Sequence, residues 1–96
     1  MKTNLLPHLQ TFLVVARRQS FSAAARELGV SPAAVSQSVR RIEERLGAVL
    51  LARTTRSMAL THVGQRLLEG AGPGLGQALA CLQEMSEGPG EEGSAT

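Results

Sequence analysis

Aromatic side chains are nearly missing from this 96-residue chain: two Phe, no Tyr and no Trp. A core for such a chain must come from Leu, Val, Ile and Ala, which favours helices in close contact over a β-sandwich. Cys81 is the single cysteine, so neither an intramolecular disulfide nor a cysteine zinc site can form. One free thiol suits a reducing, cytoplasmic setting. His8 and His62 lack metal-ligand spacing and read as surface or partly buried histidines. The longest apolar run near the N-terminus, 12–16, is far too short to span a membrane, and nothing resembles a signal peptide. The chain is therefore expected to be soluble and unexported. No catalytic triad, carboxylate pair or phosphate loop stands out, so no enzyme is expected. The GAGPGLG stretch at 70–76 has no preceding strand and no Lys-Ser/Thr ending.

What is present is a segregated charge. Residues 1–66 hold all ten basic residues and three glutamates, a net +7. Residues 67–96 hold five glutamates and no basic residue, a net −5, which together make the overall +2. A basic body points to a polyanionic partner.

The segment 31–47, SPAAVSQSVRRIEERLG, has a marked helix start and stop. Ser31 is a good N-cap, Pro32 fits the first helical position, and Gly47 suits the left-handed residue after the end. Val35, Val39, Ile42 and Leu46 form one apolar stripe. The opposite side carries Ala33, Ala34, Gln37, Arg40, Arg41 and Glu44. Small residues, then Gln, then Arg make a face that can enter a major groove, although a solvated amphipathic helix would show the same pattern.

The preceding chain reads as a helix over 5–18, with Leu6, Leu9, Phe12, Leu13 and Ala16 inward and Arg17 and Arg18 in the last turn. A turn at 19–21 follows, then a helix over 23–28 capped by Ser22 and stopped by Gly29. Phe21, just outside that helix, is expected to pack beneath it. The three-residue connection 29–31 gives a helix-turn-helix. The N-terminal amides of this second helix, with the Ser20 or Ser22 hydroxyl, could hold a backbone phosphate. After Gly47 two short strands, 49–53 and 57–60, with a tip at 54–56, form a wing that must pack on the helices. Arg53 and Arg56 flank its tip.

Thr61 is the expected N-cap of a helix over 62–86. Leu68, Leu75 and Leu82, and Ala71, Ala78 and Met85, repeat every seven residues. That is a seam for a second copy, or a stripe docked on the chain's own core. Four interior glycines and Pro73 within 70–76 predict a break or kink near 70–73 unless packing holds the helix straight. Residues 88–96, GPGEEGSAT, have linker composition and are expected to be disordered, as in a fragment of something longer.

The run from Phe21 to Leu68, above all SPAAVSQSVRRIEERLG followed by LLARTTRSMALT, resembles the N-terminal DNA-binding domain of LysR-type transcriptional regulators. The resemblance covers about residues 5–87. It implies a mainly α fold: a winged helix-turn-helix of three helices and a two-stranded wing over 1–61, a dimerisation linker helix over 62–87 and a flexible tail over 88–96. It implies a bacterial, dimeric, sequence-specific regulator that binds double-stranded DNA at an interrupted inverted repeat. No cofactor is implied for these residues. A small-molecule effector belongs to the family's C-terminal domain, which this sequence does not contain. Higher oligomers are implied for a full-length protein.

Carried over by position, the base-reading residues fall on Ser31, Pro32, Ala33, Ser36, Gln37 and Arg40. The DNA-backbone residues fall on Ser22, Ala23, Arg41, Arg53, Thr54 and Arg56. The dimer seam falls on Leu68, Ala71, Leu75, Ala78, Leu82 and Met85. Two departures stand out. Leu50-Leu51 replaces the usual Leu-Phe before the wing arginine, a change in the core. His62-Val63 replaces the usual Glu-Ala at the start of the linker helix, which loses an acid favourable at a helix N-terminus. The alternatives from other classes are a protein-interaction helical module, which would want an apolar outer face on 32–46, and an enzyme.

Overall fold

Ser31, Pro32 and Gly47 bound the helix predicted from them. In the computed structural model, which describes residues 4–53 and 58–87, this helix is α3, Pro32–Leu46. The Ser31 Oγ accepts from the Ala34 amide at 3.1 Å, and Gly47 closes the helix at φ 66°, a conformation costly for a residue with a Cβ. The other elements are α1 (Leu6–Arg18), α2 (Phe21–Leu28), β1 (Leu51–Arg53), β2 (Met58–Leu60) and α4 (His62–Glu87). The expected mainly α winged helix-turn-helix with a long following helix is the architecture found.

The α1 helix lies across both α2 and α3, and the three share one apolar core. Phe12, Val15, Val35 and Leu50 are its largest fully buried side chains. Each contributes about 1.5–3 kcal/mol through the apolar surface it removes from water. Ala24 and Ala25 are buried between the helices, where larger side chains would hold α2 away. The α3 stripe buries Val35, Val39 and Ile42, but Leu46 is half exposed, because the chain turns away at Gly47.

The second helix corrects the expected cap. It begins at Phe21, two residues before the expected start, and its N-cap is Ser20, not Ser22. The Ser20 Oγ accepts from the Ala23 amide at 3.0 Å. Both serines can cap, but only Ser20 has the extended backbone (φ −159°, ψ 125°) that aims its oxygen at the first turn. Phe21 is thereby placed inside the helix, half-buried against the core rather than just outside the helix.

Strands β1 and β2 pair antiparallel, Leu51 with Leu60, Ala52 with Ala59 and Arg53 with Met58. The first is shorter than predicted: Val49 and Leu50 precede β1 rather than pair. Leu50 keeps one bond toward β2 and gives the other to α3. Its N–H donates to the Glu43 Oε2 of α3 at 2.9 Å, and its carbonyl accepts from the Thr61 amide at 2.9 Å. The Thr61 hydroxyl donates to the Val49 carbonyl at 2.6 Å and accepts from the Gly64 amide at 3.1 Å, so Thr61 caps α4 as expected. A Cβ on Gly64 would collide with the Leu50 carbonyl oxygen. The predicted tip, 54–56, and Ser57, the expected start of the second strand, lie outside the described residues.

The α4 helix runs unbroken through Pro73, against the expected break. Proline removes one N–H and crowds the carbonyl four residues back. Burial on both sides of it offsets that cost, since Val63, Leu67, Leu68 and Leu75 pack against the core. No helix among the described residues is long and apolar enough to cross a membrane.

Two expectations for stability follow. Ser20→Ala is expected to lower unfolding free energy by about 1 kcal/mol in urea titration, whereas Ser22→Ala should change it by less than about 0.5 kcal/mol; equal effects would contradict the cap assignment. Gly64→Ala should cost about 1–3 kcal/mol through overpacking, read as a lower thermal midpoint. An unchanged midpoint would show that the α4–Leu50 contact can yield.

Candidate nucleic-acid interface

The outward side of α3 carries Ala33, Gln37, Arg40 and Glu44 at spacings of four, three and four. This is the periodicity of the buried stripe, turned to the opposite side. All four are exposed, as are Ser31, Pro32, Ala34 and Arg41. Gln37, Arg40, Arg41 and Glu44 line one open recess, and Leu5, Arg41, Glu44 and Arg45 line the next. The first turn therefore has small side chains and the later turns long polar ones. A helix of this shape can bring its N-terminal end close to a surface while guanidinium groups reach out behind it. Glu43, next to Glu44 in sequence, points to the Leu50 amide instead.

One of the residues assigned to base reading differs from the others in its environment. Ser36 is half-buried on the flank of α3, unlike the exposed Gln37 and Arg40. The adjacent Ser38 turns inward, its Oγ 2.9 Å from Nδ1 of His8 on α1. That half-buried contact fixes the rotation of α3 about its axis, because His8 can meet Ser38 only if Gln37 and Arg40–Arg41 face out.

The start of α2 supplies a second polar area. Ser22 is exposed, Ala23 is half-buried, and the Ala23 amide is already taken by Ser20, so this amide is not free for a phosphate in this arrangement, whereas the Ser20 hydroxyl, which accepts in that bond, keeps its O–H to donate. Arg18, Ala23, Arg26 and Glu27 surround an open recess. The Arg18 Nε donates to Glu27 at 2.7 Å between exposed side chains, an ion pair worth at most about 1 kcal/mol. Arg26 and Arg45 were not among the predicted contacts. The signal for Arg45 is its place one helical turn after Arg41; Arg26 has a comparable place one turn after Ser22.

Of the wing residues, Arg53 ends β1, opposite Met58; its side chain, and Thr54 and Arg56, lie outside the described residues. The predicted seam divides. Leu68 and Leu75 are half-buried against the chain's own core, with Ala71 also half-buried. Ala78, Leu82 and Met85 are exposed, the last two at 63% and 77%. The proximal half of α4 lies on the domain and the distal half extends past it. No group of three or more His, Cys or Glu that could hold a metal lies among the described residues.

The sequence and fold have counterparts of known kind. The family model described as bacterial regulatory helix-turn-helix protein, lysR family, matches residues 6–65. The HTH-type transcriptional regulator PgrR of Escherichia coli K12 is 46% identical over 92 residues, covering 93% of this chain and 31% of that protein. The chain thus spans less than a third of the length of this curated relative. A Corynebacterium glutamicum OxyR C206S mutant, H2O2-bound, superposes with a TM-score of 0.76 at 31% identity, over 90% of this chain and 26% of that one. BenM_DBD in complex with catB site 1 DNA superposes with a TM-score of 0.69 at 27% identity, over 90% and 98%. With the match spanning the three helices, the wing and the start of α4, this chain belongs to the lysR family of bacterial regulatory helix-turn-helix proteins.

Proposed function

We propose that this chain is the DNA-reading module of a bacterial, cytoplasmic transcriptional regulator. It binds double-stranded DNA as a dimer at an interrupted inverted repeat. The observation that carries this reading is the outward stripe of α3: Ala33, Gln37 and Arg40 exposed in line, with Arg41 beside them. The solved complex of BenM_DBD with DNA, whose fold this chain shares, supports it.

In this reading the first half of α3 enters the major groove. Ser31, Pro32 and Ala33 allow close approach and apolar contact with thymine methyls. Ser36 lies at the flank, Gln37 reads adenine N6 and N7, and Arg40 reads guanine O6 and N7. Arg41, Ser22, Ala23 and the wing residues Arg53, Thr54 and Arg56 hold the phosphates and fix the register. With its Ser20 bond in place, Ala23 contributes to phosphate contact through position rather than through its amide.

The dimer forms along α4, on the residues its own domain leaves uncovered. Leu82 and Met85 are the most exposed large apolar side chains of the helix, and Ala78 between them and the domain permits close approach. Residues 1–61 form the DNA-binding unit and 62–87 the linker helix; the expected tail, 88–96, lies outside the described residues. Control by a small-molecule effector belongs to the C-terminal domain of such regulators. A protein-interaction module would need an apolar outer face on α3, where Gln37, Arg40 and Arg41 stand instead.

The test is fluorescence anisotropy with random-sequence duplex DNA at several salt concentrations, with light scattering in parallel. A dimer that binds with a steep negative salt slope is expected; a folded dimer that binds no duplex at low salt would overturn the reading. Against an operator selected from a random pool, Gln37→Ala should alter preference at one base position by about 1–3 kcal/mol. A uniform loss over all sequences would contradict base reading by Gln37. Arg53→Ala should weaken binding to every duplex alike and reduce the magnitude of the log–log salt slope by about 1. A loss confined to particular bases would move Arg53 from the backbone to base reading.

A further inference from the structure

The base-reading stripe of α3 ends in a carboxylate that base and phosphate contacts leave unexplained. Glu44 continues the line Ala33–Gln37–Arg40 and is exposed. It sits between two recesses, one shared with Gln37, Arg40 and Arg41, the other with Leu5, Arg41 and Arg45. It follows Arg40 by four residues and Arg41 by three, the spacings at which helical side chains meet. Among the described residues, Arg18–Glu27 is the ion pair formed; Glu44 is within 4.0 Å of no guanidinium nitrogen. Glu43, the other acid of α3, is held by the Leu50 amide. Glu44 is therefore the one carboxylate among the described residues that the outward side of α3 presents beside its arginines.

We propose that Glu44 is a specificity-determining residue, competing with DNA phosphates for Arg40 and Arg41. This rests on the DNA-reading function proposed above. At 1.5 Å rise per residue, Glu44 lies about 10 Å along the helix from Gln37, nearly two turns farther from the end that enters the groove. With Gln37 at a base edge, Glu44 faces the wall of the groove, where the phosphates are. Non-specific binding draws almost entirely on phosphate contacts. A carboxylate that attracts Arg40 and Arg41 and repels phosphate weakens that mode most. In the cognate complex Arg40 is directed to a guanine edge, so the same carboxylate takes less from it. Glu44 thus widens the gap between cognate and random DNA.

The experiment compares wild type, Glu44→Gln and the charge-matched control Glu84→Gln, an exposed α4 position. Each is titrated by anisotropy against random-sequence duplex and against the duplex that wild type selects from a random pool. Glu44→Gln is expected to bind random duplex about two- to fivefold more tightly, with a salt slope steeper by about 1. Its affinity for the selected duplex should rise less, so that the specificity ratio falls. Glu84→Gln should leave the ratio unchanged. Unchanged or weaker random-duplex binding by Glu44→Gln, equal tightening on both duplexes, or the same effect from Glu84→Gln would overturn the assignment while leaving the DNA reading intact. Wild-type protein that binds neither duplex would overturn both.

Discussion

Leu50 is the joint on which the molecule turns. Its side chain is fully buried among the three helices, and both its backbone polar groups are bonded to neighbouring elements. The amide is bound by Glu43 at the end of α3, the carbonyl by Thr61 at the start of α4, and Gly64 makes room for that carbonyl. A buried peptide group without partners would be destabilising by about 1–3 kcal/mol, so these contacts are under strong constraint. Through this single residue the exit of α3, the first strand of the wing and the entry of α4 acquire one relative geometry. The α3 helix, the start of the wing and α4 are thus fixed to each other by hydrogen bonds rather than by loop stiffness.

The two faces of α3 divide its work. Val35, Val39 and Ile42 bury it, and the His8–Ser38 contact sets its rotation. Ala33, Gln37, Arg40 and Glu44 are then outward by necessity, since a helix buried along one stripe has no other choice for the residues half a turn away. The consecutive acids Glu43 and Glu44 show how sharply this matters. They differ by one residue and about 100°, and one serves the internal joint while the other stands on the polar face.

The α4 helix is two things in series. Its first half is part of the domain, with Val63, Leu67, Leu68 and Leu75 against the core. Its second half leaves the domain, and Leu79, Leu82 and Met85 keep apolar surface exposed. A heptad pattern cannot separate these uses, because docking on one's own core and pairing with a second copy both want a stripe. The helix also passes Pro73 without a break, where packing of the flanking leucines overrides local propensity.

Sequence alone determined the elements with strong local chemistry. Ser31, Pro32 and Gly47 delimit α3 whatever surrounds it, and the stripe of Val35, Val39 and Ile42 decides which side faces out, so the positions of Gln37, Arg40 and Arg41 were legible without coordinates. Thr61 as a cap and the helix-turn-helix spacing were legible for the same reason. Tertiary structure decided what local signals left degenerate. Ser20 and Ser22 are equally good caps, and only the path out of α1, through a left-handed Gln19, selects Ser20. Val49 and Leu50 have strand propensity, yet the ladder stops at Leu51: the Leu50 N–H goes to Glu43, 7 residues away, and the carbonyl of Thr61, its neighbour in register, accepts from Gln65 of α4. Which leucines of α4 meet the core depends on where the wing delivers the chain. Those choices rest on contacts between elements, and no periodicity within one element encodes them.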